Sequence, residues 1–172
     1  MDSTPYEIER KYLIRMPDLQ WLASVAERSH IVQTYLKKEQ KGKSERVRKR
    51  ETKGHIVYTH TEKTKVSPIK RIEIEEELDR ASYEDLLRRA DPERRTIEKD
   101  RYCLREKGLL FEIDVFPFWK NQAFLEIELS DEDQVFPWPD GIVCLREVTE
   151  DKRYTNSALA LRIPEEELQK EE

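Results

Sequence analysis

Carboxylates recur along the chain in pairs separated by a single residue. The pairs are Glu7 and Glu9, Glu73 and Glu75, Glu112 and Asp114, and Glu126 and Glu128. If these segments are β-strands, both members of a pair share one face, because successive side chains alternate. Two such carboxylates lie within roughly 7 Å of each other and can together hold a hard cation. The spacing therefore predicts carboxylate ligands for an ion such as Mg²⁺.

Cationic side chains follow the same alternation, and most of them lie on other strands. They are Lys11, Arg46, Arg48, Arg50, Lys63, Lys65, Arg71, Lys99 and Arg101. Lysine and especially arginine are suited to phosphate oxygens, which arginine can bind in a bidentate manner. Together these residues predict the binding of a highly anionic ligand.

An alternative interpretation of any one charged row is the solvated face of a half-buried sheet. The helices would then cover the aliphatic face of an open sheet. Solvating charges tend to mix signs within each strand. Here the acids are paired on four strands, whereas the bases cluster on others. This segregation favours an enclosed, charged interior.

Eight predicted strands position these residues. They span residues 6–14, 30–37, 45–52, 56–66, 69–78, 94–105, 110–116 and 123–130. Helices are expected over 19–27, from Ser82 to about Ala90, and after a cap at Asn156. Short connections favour an α+β, mainly β fold: a closed eight-stranded antiparallel barrel with a charged lumen and a few flanking helices, which leaves no exposed edge.

Composition limits the class of protein. The 172 residues are 40% charged and 37% hydrophobic and contain only four glycines, which predicts one folded domain over 1–163 with an acidic, frayed tail over 164–172. The net charge of −5 lies mostly in that tail, so no binding to nucleic acid or membrane is expected. Cys103 and Cys144 have no partner at metal-ligand spacing. Together with the lack of a signal peptide or membrane span, this predicts a cytoplasmic location.

The ordered motifs resemble those of the CYTH superfamily, the triphosphate tunnel metalloenzymes. The resemblance runs in order through nearly the whole chain. Its motifs are Glu7-x-Glu9-x-Lys11, Arg46-x-Arg48, Lys63-x-Lys65, Arg71-x-Glu73-x-Glu75, Lys99-x-Arg101, Glu112-x-Asp114 and Glu126-x-Glu128, followed by Val148-Thr149-x-Asp151-x-Arg153-Tyr154-x-Asn156. This resemblance implies an eight-stranded tunnel that acts on triphosphates with Mg²⁺ or Mn²⁺.

Site roles follow from this resemblance and from the chemistry of the residues. The expected metal ligands are Glu7, Glu9, Glu126, Glu128 and Asp114. The expected substrate-binding residues are Lys11, Arg46, Arg48, Lys63, Lys65, Arg71, Lys99, Arg101 and Arg153. Glu73 or Glu75 is expected to hold the attacking water, and Lys11 is a further catalytic candidate.

Inorganic tripolyphosphate is the favoured substrate, because the chain has no inserted domain for a large organic group. Tyr6 also stands where the cyclase and thiamine branches often have His-Phe. The alternatives are a class IV adenylyl cyclase, a thiamine or nucleoside triphosphatase, and a non-catalytic polyphosphate-binding or nucleotide-binding module. Homodimerisation is left open.

Gly42-Lys43-Ser44 matches the end of a phosphate-binding P-loop. That motif requires an earlier glycine where this chain has Lys37, so a P-loop is excluded.

Overall fold

Antiparallel strands dominate the computed structural model, which describes residues 6–167. The strands are β1 (Tyr6–Arg15), β2 (Glu27–Tyr35), β3 (Lys43–Thr52), β4 (His55–Lys65), β5 (Lys70–Leu78), β6 (Ile97–Glu106), β7 (Leu109–Val115), β8 (Gln122–Leu129) and β9 (Cys144–Glu147). Three short α-helices flank them: α1 (Leu19–Val25), α2 (Arg80–Leu86) and α3 (Asn156–Leu161). Single 3₁₀ turns cover Leu87–Arg89 and Lys152–Tyr154.

The sheet closes on itself between β1 and β5. The strand order is β5-β4-β3-β2-β6-β7-β8-β1, and β1 returns to β5 through Tyr6 opposite Ile72 and Glu7 opposite Arg71. β9 pairs with the second half of β1, where Tyr12 lies opposite Glu147. The predicted eight-stranded antiparallel closed barrel is thus confirmed, with one additional strand.

Tight turns set the strand register of two hairpins. Lys53 and Gly54 have φ values of 51° and 80°, and Lys107 and Gly108 have φ values of 53° and 75°. Positive φ at both central residues is typical of a type I′ turn, whose twist matches that of paired antiparallel strands. These turns fix β3 against β4 and β6 against β7.

The aliphatic faces of the strands point outward, under the helices. On one side, Leu22 of α1 and Trp138 pack in a cluster with Tyr12 and Leu125 of the barrel wall. On another side, Tyr83 of α2 packs over Val47. Because the apolar surface is buried outside the barrel, the alternate side chains face the lumen.

An aromatic plug closes one end of the lumen. Leu13, Phe116 and Phe124 continue the inward-facing rows and pack with Trp119 and Tyr154. The Phe124 ring lies 5.0 Å from the Trp119 ring and 5.7 Å from the Tyr154 ring, both edge to face. The lumen therefore has an apolar floor at this end beside its charged walls.

Helix ends differ from the expected positions. α2 is capped by Asp79, whose side chain accepts from the Ser82 amide at 2.7 Å, so Ser82 lies inside the first turn. α3 is capped by Thr155 rather than by Asn156. α1 ends at Val25, because β2 already begins at Glu27. Each shift is short, and none moves a charged strand residue to the other face.

Part of the predicted tail contacts the barrel. The Glu166 carboxylate accepts from the Asn121 amide at 2.6 Å, and Glu167 pairs with Arg146 at 2.9 Å. The rest of the predicted tail, residues 168–172, lies outside the described residues. Within residues 6–167, no helix is long and apolar enough to cross a membrane.

Candidate active site

A cavity of about 260 Å³ lies where the charged rows reach one mouth of the barrel. Its walls include residues from β1, β3, β4, β5 and β8, together with residues 148–157. Seven of the predicted site residues line it: Glu9, Lys11, Arg46, Lys63, Lys65, Arg71 and Glu126. Strand alternation and barrel closure bring these residues together from distant parts of the sequence.

Ion pairs link the cations of the cavity to carboxylates. Lys63 and Arg46 flank Glu73, with N–O distances of 3.6 and 3.8 Å. Arg71 lies 3.4 Å from Glu9. Burial, reinforced by the charge of Arg46, lowers the pKa of Lys63 to about 8. The cations are therefore crowded, and an added anion would stabilise them.

Lys11 joins β1 to the wall formed by residues 148–157. Its Nζ donates to the Tyr154 carbonyl at 2.7 Å and lies 3.4 Å from Glu126. The Lys11 backbone amide donates to Thr149 Oγ1 at 3.0 Å. Burial opposes ionisation of Glu126, but the positive charge of Lys11 outweighs it and helps to hold the Glu126 pKa at about 2. Glu126 is thus held in its ionised form beside Lys11.

Two carboxylates, those of Glu7 and Glu73, form a hydrogen bond where β1 closes on β5. Burial, this contact and repulsion from Glu73 and Glu9 raise the pKa of Glu7 to about 9. Burial alone would raise the Glu73 pKa, but the contact with Glu7 and the nearby Lys63 hold it below its ordinary value. The pair therefore shares one proton, with Glu73 as the ionised member.

Glu128 lies opposite Glu9 in the β1–β8 register, and its side chain is exposed. Among the residues that the structure describes, no set of three His, Cys, Asp or Glu side chains is arranged as a metal site. Carboxylate oxygens are nonetheless the donors that Mg²⁺ and Mn²⁺ prefer. Glu7 interacts with Glu73 and with Glu9 at the β1–β5 closure, so this part of the lumen has the right donor chemistry for such a cation.

Arg48 is a buried cation without a close ion pair among the described residues. It is 7% exposed, and its Nη2 donates to the Gln33 side chain at 2.9 Å. Across residues 6–167 it forms no ion pair, and its Nε has no hydrogen-bond partner. Burial and repulsion from Arg46 and Arg101 lower its pKa to about 9. Asp114 and Glu73 attract this guanidinium only from beyond ion-pair distance, so its charge is weakly compensated.

Asp114, predicted as a metal ligand, is fully engaged by cations. Lys99 Nζ and Arg101 Nε each lie 2.8 Å from its carboxylate, and the Asp114 and Lys99 side chains have no solvent exposure. Despite burial, Arg101 and Lys99 hold the pKa of Asp114 well below its usual range. None of the three lines the cavity. They form a buried ion-pair cluster deeper in the lumen.

Two other predicted residues lie away from the cavity wall. Glu75 is exposed and accepts a hydrogen bond from Thr61 Oγ1 at 3.0 Å. Arg153 donates to Asp151 at 2.7 Å, and 62% of its side chain is exposed. Its neighbour Lys152 lines the cavity instead. Strand alternation does not fix the orientation of Arg153, because this residue lies in a 3₁₀ turn rather than a strand.

Several cavity residues were missed by the sequence argument. Thr61 and Tyr35 share faces with Lys63 and Gln33, so strand alternation could have identified them. Lys38 comes from the β2–β3 connection, Lys152 from a 3₁₀ turn and Asn156 from the start of α3. Their approach to the cavity depends on contacts between distant segments, for which the sequence carries no local signal.

The fold and its charged cavity define a closed β-tunnel that gathers cations and carboxylates around one small interior space. No protein-family model matches the chain. It is 39% identical over 121 residues to the inorganic triphosphatase of Acetivibrio thermocellus, which covers 69% of this chain and 72% of that relative. It is also 47% identical over 79 residues to the inorganic triphosphatase of Nitrosomonas europaea, covering 42% and 49% of the two chains.

Solved structures agree with this relationship. The crystal structure of the inorganic triphosphatase NE1496 is 34% identical, with a TM-score of 0.57, and the match covers 92% of this chain and 97% of that one. The PH1819 protein from Pyrococcus horikoshii shares the fold at 22% identity and a TM-score of 0.54, over 74% of this chain and 80% of that one. The present chain belongs to the inorganic triphosphatase family of triphosphate-tunnel (CYTH) barrels.

Proposed function

We propose that this protein hydrolyses inorganic tripolyphosphate to pyrophosphate and phosphate, with Mg²⁺ or Mn²⁺ as its cofactor. The observation that carries the proposal is the cavity itself, where cations from β1, β3, β4 and β5 converge on one interior space. Tripolyphosphate is compact and densely anionic, so it fits walls that are cationic on several sides. The family relationship supports the same chemistry.

Substrate binding relies on the crowded cations. Arg46, Lys63 and Arg71 already lie in the cavity. Within the described part of the chain, their ion-pair partners are Glu73 and Glu9 alone. Phosphate oxygens would supply the missing counter-charge, with arginine favoured for bidentate contact. Lys11, held by the Tyr154 carbonyl, would keep its charge fixed beside the phosphates. The predicted substrate-binding role of these four residues is retained in the proposal.

Glu7, Glu9 and Glu128 would hold the divalent cation. Glu7 must first lose the proton that it shares with Glu73, and a hard cation replaces that proton favourably. When bound, the cation would neutralise phosphate oxygens and stabilise the leaving oxygen. Glu126 and Asp114, predicted as ligands too, are instead assigned to orienting Lys11 and Arg101, because these ion pairs already occupy their carboxylates.

Glu73 is the carboxylate that we assign to the attacking water. It is ionised and lies beside two cavity cations, whereas Glu75 is exposed and bound by Thr61. The water oxygen forms a bond to the terminal phosphorus, and the bond from that phosphorus to the bridging oxygen breaks. Pyrophosphate leaves with the electron pair, and the proton of the water passes to Glu73. Positioning and charge stabilisation supply most of the catalysis in such reactions.

A substrate panel tests the proposal directly. Phosphate release is measured with tripolyphosphate, ATP, thiamine triphosphate and pyrophosphate, each with Mg²⁺ and with Mn²⁺. We expect the highest kcat/KM with tripolyphosphate and no turnover once the cation is removed by a chelator. Preference for an organic triphosphate would overturn the substrate assignment. Binding of tripolyphosphate without turnover would favour a non-catalytic module.

The other predicted site residues also have roles in the proposed function. Lys65 is assigned to the substrate because it lines the cavity. Lys99 and Arg153 are assigned to positioning, because Asp114 and Asp151 hold them away from the cavity. A cytoplasmic location and a homodimer also remain predictions.

A further inference from the structure

The connection between β2 and β3, taken together with the first two residues of β3 (residues 36–44, called the loop below), contributes to the cavity. Lys38, Gly42, Lys43 and Ser44 all line the cavity. Gly42, Lys43 and Ser44 are the residues that resemble the end of a P-loop. They lead into a strand rather than a helix, so the exclusion of a P-loop stands.

The polar groups of this loop are available to a ligand. Lys38 is exposed and forms no ion pair within the described part of the chain, and the Ser44 hydroxyl makes no hydrogen bond there. Lys43 is held on the outer side by Glu62, with an N–O distance of 3.1 Å. In contrast, Lys63 and Arg71 deeper in the cavity are already paired with carboxylates. The loop therefore adds uncommitted donors at the mouth.

The loop also has space on both sides. A second cavity of about 100 Å³ lies behind it, lined by Lys37, Lys38 and Lys43 among others. Gly42 has a φ of +84°, and a Cβ at this position would meet nothing within 4 Å. Its carbonyl accepts from the Lys65 amide at 3.2 Å, which ties the loop to the end of β4. At its other end the Lys37 amide donates to the Arg89 carbonyl at 2.9 Å. The open space lies around Gly42, so small adjustments there meet little steric resistance.

We propose that Lys38, Lys43 and Ser44 form a substrate-binding element that holds the phosphate nearest the cavity mouth. Lys43 exchanges Glu62 for a phosphate oxygen, Ser44 donates its hydroxyl, and Lys38 supplies a charge with no internal competitor. The inference rests on the proposed function and extends it, because it assigns recognition of one end of the polyphosphate to the β2–β3 connection and the start of β3.

Neighbouring lysines provide a matched test. Lys38 lines the main cavity, whereas Lys37 lines only the cavity behind the loop. Kd for tripolyphosphate without divalent cation is measured by calorimetry, and kcat and KM are measured with Mg²⁺. Lys38→Gln should raise both Kd and KM about ten-fold, and Ser44→Ala should raise them about three-fold. In both variants kcat should change little. Lys37→Gln should leave both constants unchanged.

Equal losses in Lys37→Gln and Lys38→Gln would overturn the inference, since they would indicate only general attraction of a polyanion to a basic loop. Unchanged binding in both Lys38→Gln and Ser44→Ala would overturn it as well. Glu62→Gln tests the exchange of Lys43: tighter binding is expected, and an unchanged Kd would exclude Lys43 from the element.

Failure of the proposed function gives a different pattern. A wild-type protein that binds tripolyphosphate without hydrolysing it would contradict the enzyme assignment. In that case, an increase in Kd for Lys38→Gln but not for Lys37→Gln would still support the role of the loop in binding. If all variants hydrolyse tripolyphosphate with the wild-type KM, the binding role of the loop is contradicted and the proposed triphosphatase activity stands.

Discussion

Charge compensation varies from residue to residue along the lumen. Lys99 and Arg101 share Asp114, and Arg71 has Glu9. Among residues 6–167, Arg48 forms no ion pair and donates to the neutral Gln33. An unpaired buried charge destabilises a fold by several kcal/mol. Such a group is retained where a ligand supplies the counter-charge, at the expense of stability in the free protein. Arg48 is therefore a residue whose contribution should differ between the free and the bound state.

Replacing Arg48 with a neutral side chain should separate stability from function. We expect Arg48→Met to leave the melting temperature of the free protein unchanged or higher, because the unpaired charge is removed. Its kcat/KM for tripolyphosphate should fall by about ten- to a hundredfold, which corresponds to the loss of about 1.5–3 kcal/mol of charge-assisted binding. Thermal unfolding and steady-state kinetics measure the two effects.

Arg10 is the matched control, since strand alternation places it on the outer face of β1. Its guanidinium donates to the Glu132 carbonyl at 2.8 Å and lies 3.4 Å from Glu147. Arg10→Met should change kcat/KM by less than about two-fold, as expected for a surface contact. A loss equal to that of Arg48→Met would mean that the charged faces do not converge on one lumen.

At the scale of the elements, period-two alternation made most of the interior predictable. A strand fixes which side chains share a face, so Lys63 and Arg71 could be placed in the lumen from the sequence alone. The same rule fails for Arg153, whose 3₁₀ turn has no alternation. The sequence also did not predict which carboxylate pairs with which buried cation. The pairing of Asp114 with Lys99 and Arg101 depends on the β6–β7 register and on depth in the barrel.

The β2–β6 strand pair carries a pH-dependent contact on its outer face. His30 on β2 lies 2.9 Å from Asp100 and 2.8 Å from Glu98 on β6, and Arg28 also contacts Asp100. Glu51 of β3 lies opposite His30 on the other side. The hydrogen bond to Asp100, supported by Glu98, raises the pKa of His30 above its ordinary 6.5. Protonated His30 therefore links the two strands.

The sign of the pH effect follows from this raised pKa. Stabilisation by His30 is fully present below the unfolded pKa of 6.5 and is lost as the pH rises through the higher folded value. Since 43% of the side chain is exposed, the effect should stay below about 1 kcal/mol. His30→Gln should lower the melting temperature at about pH 5.5 but not at about pH 9. The exposed His55 is the control, and an equal effect of His55→Gln would contradict the assignment.

For the whole molecule, barrel closure confines like charges in one space. The seam between β1 and β5 is short, with Tyr6, Glu7 and Ile8 paired to Ile72, Arg71 and Lys70. Cations from β1, β3, β4 and β5 meet beside this seam. Their mutual repulsion opposes the compact state unless counter-ions are present. A bound polyanion should therefore stabilise the entire fold and not only its own contacts.

Tripolyphosphate should raise the melting temperature of the protein more than sulfate does at equal ionic strength. A ligand at about 100 times its Kd stabilises the native state by about 2.7 kcal/mol, or about 5–10 °C for a domain of this size. Sulfate screens charge but cannot contact several cavity walls at once. The shift is measured by thermal unfolding without divalent cation, so that no substrate is consumed. The Arg46→Gln/Lys63→Gln double variant should lose most of the tripolyphosphate shift and keep the sulfate response. Equal shifts from both anions in the wild type would show general screening in place of a specific site.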